Sequence, residues 1–102
     1  MDPHSYGRKL SAKIANYGEE LGKFKPYYEN GVLAWVRGSS YPEQVVFATP
    51  LYAVDSCGKC IVVTKSNGEG ERLEFKPSGN LEEDIGRYYE IMTGWFEKNI
   101  ST

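Results

Sequence analysis

Histidine occurs once in this chain of 102 residues, as His4, and cysteine twice, as Cys57 and Cys60. That scarcity removes whole classes of chemistry. A Ser/His/acid or Cys/His hydrolase needs an imidazole held by packing beside its nucleophile, whereas His4 stands next to a chain end. Metal hydrolases and tetrahedral zinc sites fail for want of ligands. Apolar runs are short as well. Val45 to Ala48 and Cys60 to Val63 are typical of them, and a membrane-crossing helix takes about 18 or more consecutive apolar residues, so no membrane association is expected. Positive charge is not in excess either, because 12 Lys and Arg stand against 14 Asp and Glu for a net charge of −2. Nucleic-acid binders carry a basic stripe that neutralises phosphate, and no nucleic-acid partner is expected. Met1 to Ser5 lacks both the basic and the apolar parts of a secretory leader. A cytoplasmic location follows as an expectation, with the thiols reduced and the sequon Asn99-Ile100-Ser101 unmodified.

What is present is an ordinary globular composition, 40% apolar and 25% charged, in a chain long enough for one core and one domain over 1–102. Charge drifts along it, and residues 80–102 hold two basic against five acidic side chains. Arg8, Lys9 and Lys13 fall on adjacent turns of a helix and read as a solvated face. With Lys23 and Lys25 they are the candidates for a phosphate contact, which the net charge disfavours.

Tyr6, Leu10, Ile14, Tyr17 and Leu21 recur at spacings of four, four, three and four, the stripe of an amphipathic helix. Asp2-Pro3 supplies an N-cap and an N1 proline, and Gly22 stands where a glycine ends a helix, which predicts a first helix over about 3–21. From Gly31 the period changes to two. Val32–Arg37, Gln44–Val54, Cys60–Ser66 and Glu71–Lys76 read as strands. They are separated by turn chemistry at Gly38 to Pro42, at Asp55 to Lys59 and at Asn67 to Gly70. Links this short join antiparallel neighbours. Asn30-Gly31 is a further hairpin signal, with Lys25–Glu29 a candidate short strand ahead of it. Pro50 predicts a bulge or an edge position. Asn80 and Glu83 form a capping box ahead of Leu81, Ile85, Tyr88, Met92, Trp95 and Phe96, a second helix from Leu81 to about Asn99. The expected fold is an α+β domain of order αββββα, a four-stranded antiparallel meander flanked by an N-terminal and a C-terminal helix.

Few residues suggest chemistry. Cys57-Gly58-Lys59-Cys60 is a CxxC pair, but it sits between strands, where no helix N-terminus lowers a thiol pKa. Two thiolates are half a zinc site, and Cys57 and Cys60 could hold metal only if two chains shared it. Gly18 to Phe24 resembles a phosphate loop one residue short. Phe24 takes the place of its hydroxyl residue, and Glu19 and Glu20 repel phosphate. Glu71 with Glu74, and Glu82 with Asp84, are acids at turns and caps with no cleft to shift them. No enzyme activity and no cofactor are expected.

Aromatic content is the remaining signal, with eight tyrosines. Tyr88 and Tyr89 point about 100° apart on a helix, so both cannot sit squarely on one buried stripe. Val32 to Arg37, Gln44 to Val54 and Cys60 to Ser66 are apolar on both faces, whereas a half-solvated sheet alternates with polar residues. Either one helix covers each face, or both helices share one face and another chain covers the other. Alternation places Trp35, Tyr52 and Val62 opposite Val36, Leu51 and Ile61. With Tyr88 and Tyr89, these three are the candidate partner-binding residues. The expected function is that of a small non-enzymatic protein-binding module, a stoichiometric regulator or inhibitor of a larger protein or a homodimer. The alternative is a CxxC thiol protein, redox-active or zinc-bridged.

Overall fold

A computed structural model describes residues 3–38, 44–52 and 59–100. Two helices and five strands follow one another as α1 (Pro3–Tyr17), β1 (Lys25–Glu29), β2 (Val32–Arg37), β3 (Gln44–Tyr52), β4 (Lys59–Lys65), β5 (Gly70–Glu74) and α2 (Leu81–Asn99). The architecture is α+β with an antiparallel sheet, but the sheet has five strands, in the order β1-β2-β3-β4-β5, and not four. The additional strand is β1. Tyr27 and Tyr28 give it β propensity, and Asn30-Gly31, both at positive φ, turn it tightly onto β2. Expectations at Asp2, at residues 39–43 and at residues 53–58, Cys57 included, lie outside the described residues.

The first helix ends four residues before the expected Leu21. Gly18 has φ +74° and its N–H bonds to the carbonyl of Ile14 at 3.4 Å, an αL termination that a glycine accepts without strain. Gly22, at φ +61°, instead serves a tight turn in which Leu21 and Phe24 exchange both backbone hydrogen bonds. Leu21 is therefore buried from a loop, while Tyr17 ends α1 pointing outward, 66% exposed. In α2 the Asn80 side chain accepts from the Glu83 N–H at 3.1 Å, as its capping pattern predicts. The Asn80 N–H goes to the Ser78 hydroxyl and not to Glu83.

Paired strand residues share a face, so the registers sort the sheet. Pro26↔Trp35 and Trp35↔Val46 lie on one side, and so do Ala48↔Val63, Pro50↔Ile61 and Ile61↔Leu73. Tyr27↔Ala34↔Phe47↔Thr64↔Gly70 runs across the other. No bulge occurs at Pro50, since the β3–β4 register is continuous through it. The β2–β3 register stops at Ala34↔Phe47, so Pro50 lies where β3 has a ladder on one side only, and its missing N–H breaks nothing.

Tyr6, Leu10 and Ile14 of α1, with Tyr88, Met92, Trp95 and Phe96 of α2, pack with Leu33, Trp35, Val46, Ile61 and Val63 in one core. Both helices therefore lie on the same face. At its centre the Trp35 ring stacks on Tyr88 at 6.3 Å. The Trp35 Nε1–H donates to the Tyr88 hydroxyl at 2.9 Å, which donates onward to the Ala48 carbonyl at 2.6 Å. Trp35 thus joins β2 to α2, and Tyr88 joins α2 to β3, with no buried polar atom of the trio left unpaired.

Candidate functional site

With both helices on one side, no element among the described residues covers the other face of the sheet. Tyr27, Val32 and Phe47 stand on it, 56%, 43% and 41% exposed, with Val36, Val45 and Val62 half-buried between them. These side chains alternate with the core residues because a strand points successive side chains to opposite faces. Lys25 and Glu29 rim the face along β1, while Arg72 and Glu74 rim it along β5. The Tyr27 hydroxyl donates to Glu29 Oε2 at 3.3 Å, which lays the ring along the strand. The central strands put Val45, Phe47 and Val62 on this face together with Thr49 and Thr64, and its two edges are charged.

Of the five expected partner-binding residues, Trp35, Tyr88 and Tyr89 touch one another, but on the helix side of the sheet and not on the open face. Trp35 and Tyr88 are fully buried in the core, a correction to the expectation that Trp35 is on the open face and that Tyr88 reaches a partner. Val62 is on the open face, opposite Trp35 and not beside it. Register is the reason. Alternation within a strand says which residues share a face, but the pairs Trp35↔Val46 and Thr49↔Val62 decide how one strand is phased against the next. Tyr52 closes β3 in register with Lys59, and its side chain lies outside the described residues. Tyr27, Val32 and Phe47 were not among the expected site residues. For Tyr27 the signal is the alternation Lys25, Tyr27, Glu29 against Pro26 and Tyr28, legible only once β1 is counted as a strand; for Val32 and Phe47 it is the alternation with Leu33 and Val46, whose phase the sequence leaves open.

Tyr89 belongs to a second surface feature. It is half-buried beside Tyr17, with ring centroids 6.0 Å apart, in a groove of about 740 Å³ between α1 and α2 that Leu81, Ile85, Lys13 and Glu19 also line. Its hydroxyl donates to the carbonyls of Ile14 at 3.4 Å and Glu19 at 3.2 Å. Burial, with the nearby charge of Glu19, pushes the phenol up to about 12, so it is a neutral donor that ties α2 to the end of α1.

Asp84 is fully buried. Burial acts to raise its pKa, but hydrogen bonds from the Tyr6 and Ser78 hydroxyls and the Ser78 and Gly79 N–H groups outweigh it, leaving the carboxyl below its ordinary value. Four donors fix this carboxylate as a structural acceptor at the start of α2. Among the described residues no group of three or more His, Cys, Asp or Glu side chains could hold a metal ion, and no helix is long and apolar enough to cross a membrane. Cys60 is disulfide-bonded and 3% exposed, which departs from the expected reduced thiol. The chain has one other cysteine, Cys57. No protein-family model, curated protein or solved structure matches the chain.

Proposed function

We propose that the protein is a non-enzymatic protein-binding module, a stoichiometric regulator or inhibitor of a larger protein, and that the open face of the sheet is its contact surface. One observation carries this reading: both helices pack on the same side of the sheet, and Tyr27, Val32 and Phe47 remain exposed on the other. At about 3.3 Å rise and about 4.8 Å strand spacing the five strands cover a plane of roughly 500 Å². Only part of that plane is apolar, and exposed apolar patches of a few hundred Å² are often functional. The thiol alternative has the disulfide at Cys60 behind it. Cys60 lies on a strand and is buried, which is the opposite of the exposed, electropositive setting of a reactive thiolate.

Capture from the native host tests the proposal, using the intact tagged chain, Phe47→Glu on the open face, and Lys9→Glu on the solvated side of α1. The same stoichiometric protein is expected with the wild type and with Lys9→Glu, and none with Phe47→Glu. Retention of that protein by Phe47→Glu, or no partner for the wild type, overturns the assignment of the face.

A further inference from the structure

Resting on the reading of the open face as a protein-contact surface, we infer that in the absence of the larger partner a second copy of this chain closes that face, the copies being related by a two-fold axis running along β3. The sheet has an odd number of strands with β3 in the middle, so rotation about that axis lays β1 of one copy over β5 of the other and β3 over itself. An isologous contact needs a surface complementary to itself, and two rows across this face have that property. In the first row, Tyr27 pairs with Ala34, Ala34 with Phe47, Phe47 with Thr64 and Thr64 with Gly70. Rotation sets the two Phe47 rings against each other on the axis. It also sets Tyr27, which stands 56% exposed, over Gly70 of the second copy, which has no side chain of its own and lies beside the Thr64 hydroxyl. Two residues further along, Glu29 pairs with Val32 and Thr49 with Val62, which pairs with Arg72. Rotation brings Glu29 over Arg72 of the second copy and Val32 over Val62. Opposite charges therefore meet at both edges, Phe47 meets Phe47 on the axis, and Val32 meets Val62 on either side of Thr49. An axis across the strands would stack β1 on β1 and lose the pairings of Tyr27 with Gly70, Glu29 with Arg72 and Val32 with Val62.

Aligned packing of two sheets about 10 Å apart is an established way to bury such faces. The plane of roughly 500 Å², corrugated by its side chains, is of the order of the about 800 Å² of accessible surface that each side of a standard interface removes from water.

Sedimentation of the intact chain over a range of micromolar concentrations tests the inference, with circular dichroism to confirm that each variant is folded. The expected wild-type species is a dimer that Phe47→Glu converts to a monomer. Glu29→Arg and Arg72→Glu each set like charges together at both edges and are expected to weaken the dimer by about tenfold or more. Glu29→Arg combined with Arg72→Glu restores it, and Lys9→Glu leaves it unchanged. Restoration by the double variant is the outcome specific to this arrangement, since a charge change that merely perturbed one chain would add to the other. A monomeric wild type overturns the dimer and leaves the contact-surface reading standing if Phe47→Glu still abolishes capture of the host protein. A dimer indifferent to Phe47→Glu and to the charge variants overturns the proposed face. A host partner retained by Phe47→Glu overturns the reading beneath it while the dimer, if seen, survives.

Discussion

Asp84 is the residue on which the junction of α1, α2 and the loop before α2 converges. Its carboxylate accepts from Tyr6 on α1 and from Ser78 and Gly79 in the loop, while its own N–H opens the helix by bonding to the Asn80 carbonyl at 2.9 Å. The folded carboxyl therefore holds its proton less tightly than the unfolded one. Its stabilisation is fully present above the ordinary carboxylate pKa of about 3.9 and is lost as the pH falls through the lower folded value. Asp84→Asn is expected to cost about 1–3 kcal/mol at neutral pH, because an amide offers hydrogens to groups that are themselves donors. Urea denaturation at a series of pH values checks this. The gap between wild type and Asp84→Asn should narrow in acid, and a constant gap would mean that ionisation of Asp84 contributes nothing. The sequence showed Asp84 as one acid among three in the first turn of a helix. Nothing in that run distinguishes the carboxylate that folds inward, because its partner Tyr6 is 78 residues away.

At the scale of elements, the periodic segments were legible and their ends and mutual phase were not. The second helix followed from its stripe and its Asn80 cap, both of them local. The first overran, because Gly18 and Gly22 are equally suited to ending a helix and the choice between them rests on Leu21 being drawn into the core from a turn. Glycine also distinguishes two kinds of position in a way that substitution can check. At Gly18 an added Cβ would meet nothing closer than 3.9 Å, but φ is +74°, so Gly18→Ala is expected to destabilise by about 1 kcal/mol through backbone strain alone. At Gly94, inside α2, nothing lies within 4 Å of an added Cβ and φ is ordinary. Gly94→Ala is therefore expected to stabilise by about 0.5–1 kcal/mol. Opposite signs in thermal melts of the two variants are the outcome sought, and the same sign for both would contradict the assigned end of α1. Which face each strand shows the helices was the least legible feature of all. A strand apolar on both sides reads the same in either phase, and only the cross-strand pairs place Trp35 inside and Val62 outside.

The described residues share one core, and it is layered, with two helices on one face of one sheet. Its ring contacts join the layers. Trp35 contacts Tyr88, Tyr89 and Phe96, and Phe75, just beyond β5, packs edge-on against Tyr88. Trp95, the other tryptophan, donates its indole N–H to Glu71 of β5 and lies beneath the ammonium of Lys65. Both tryptophans therefore report the packing of α2 on the sheet, while far-ultraviolet circular dichroism reports the helices and strands themselves. If the layers cannot persist apart, the two signals must be lost in one transition. Tyr88→Phe makes the demand sharper. It removes the hydroxyl that links Trp35 to the Ala48 carbonyl, leaves a buried donor and a buried acceptor unpaired, and should cost about 1–3 kcal/mol. Because Tyr88 touches α2, β2 and β3 together, that loss is expected to move the fluorescence and dichroism midpoints by the same amount. Midpoints that separate in the variant would mean that the sheet keeps its structure after α2 has left it. In a dimer closed across the open face, both midpoints should in addition rise together with protein concentration, since association stabilises only the folded chain. Phe47→Glu should abolish that rise while keeping the two signals coincident, because Phe47 lies on the side of the sheet that the core does not use.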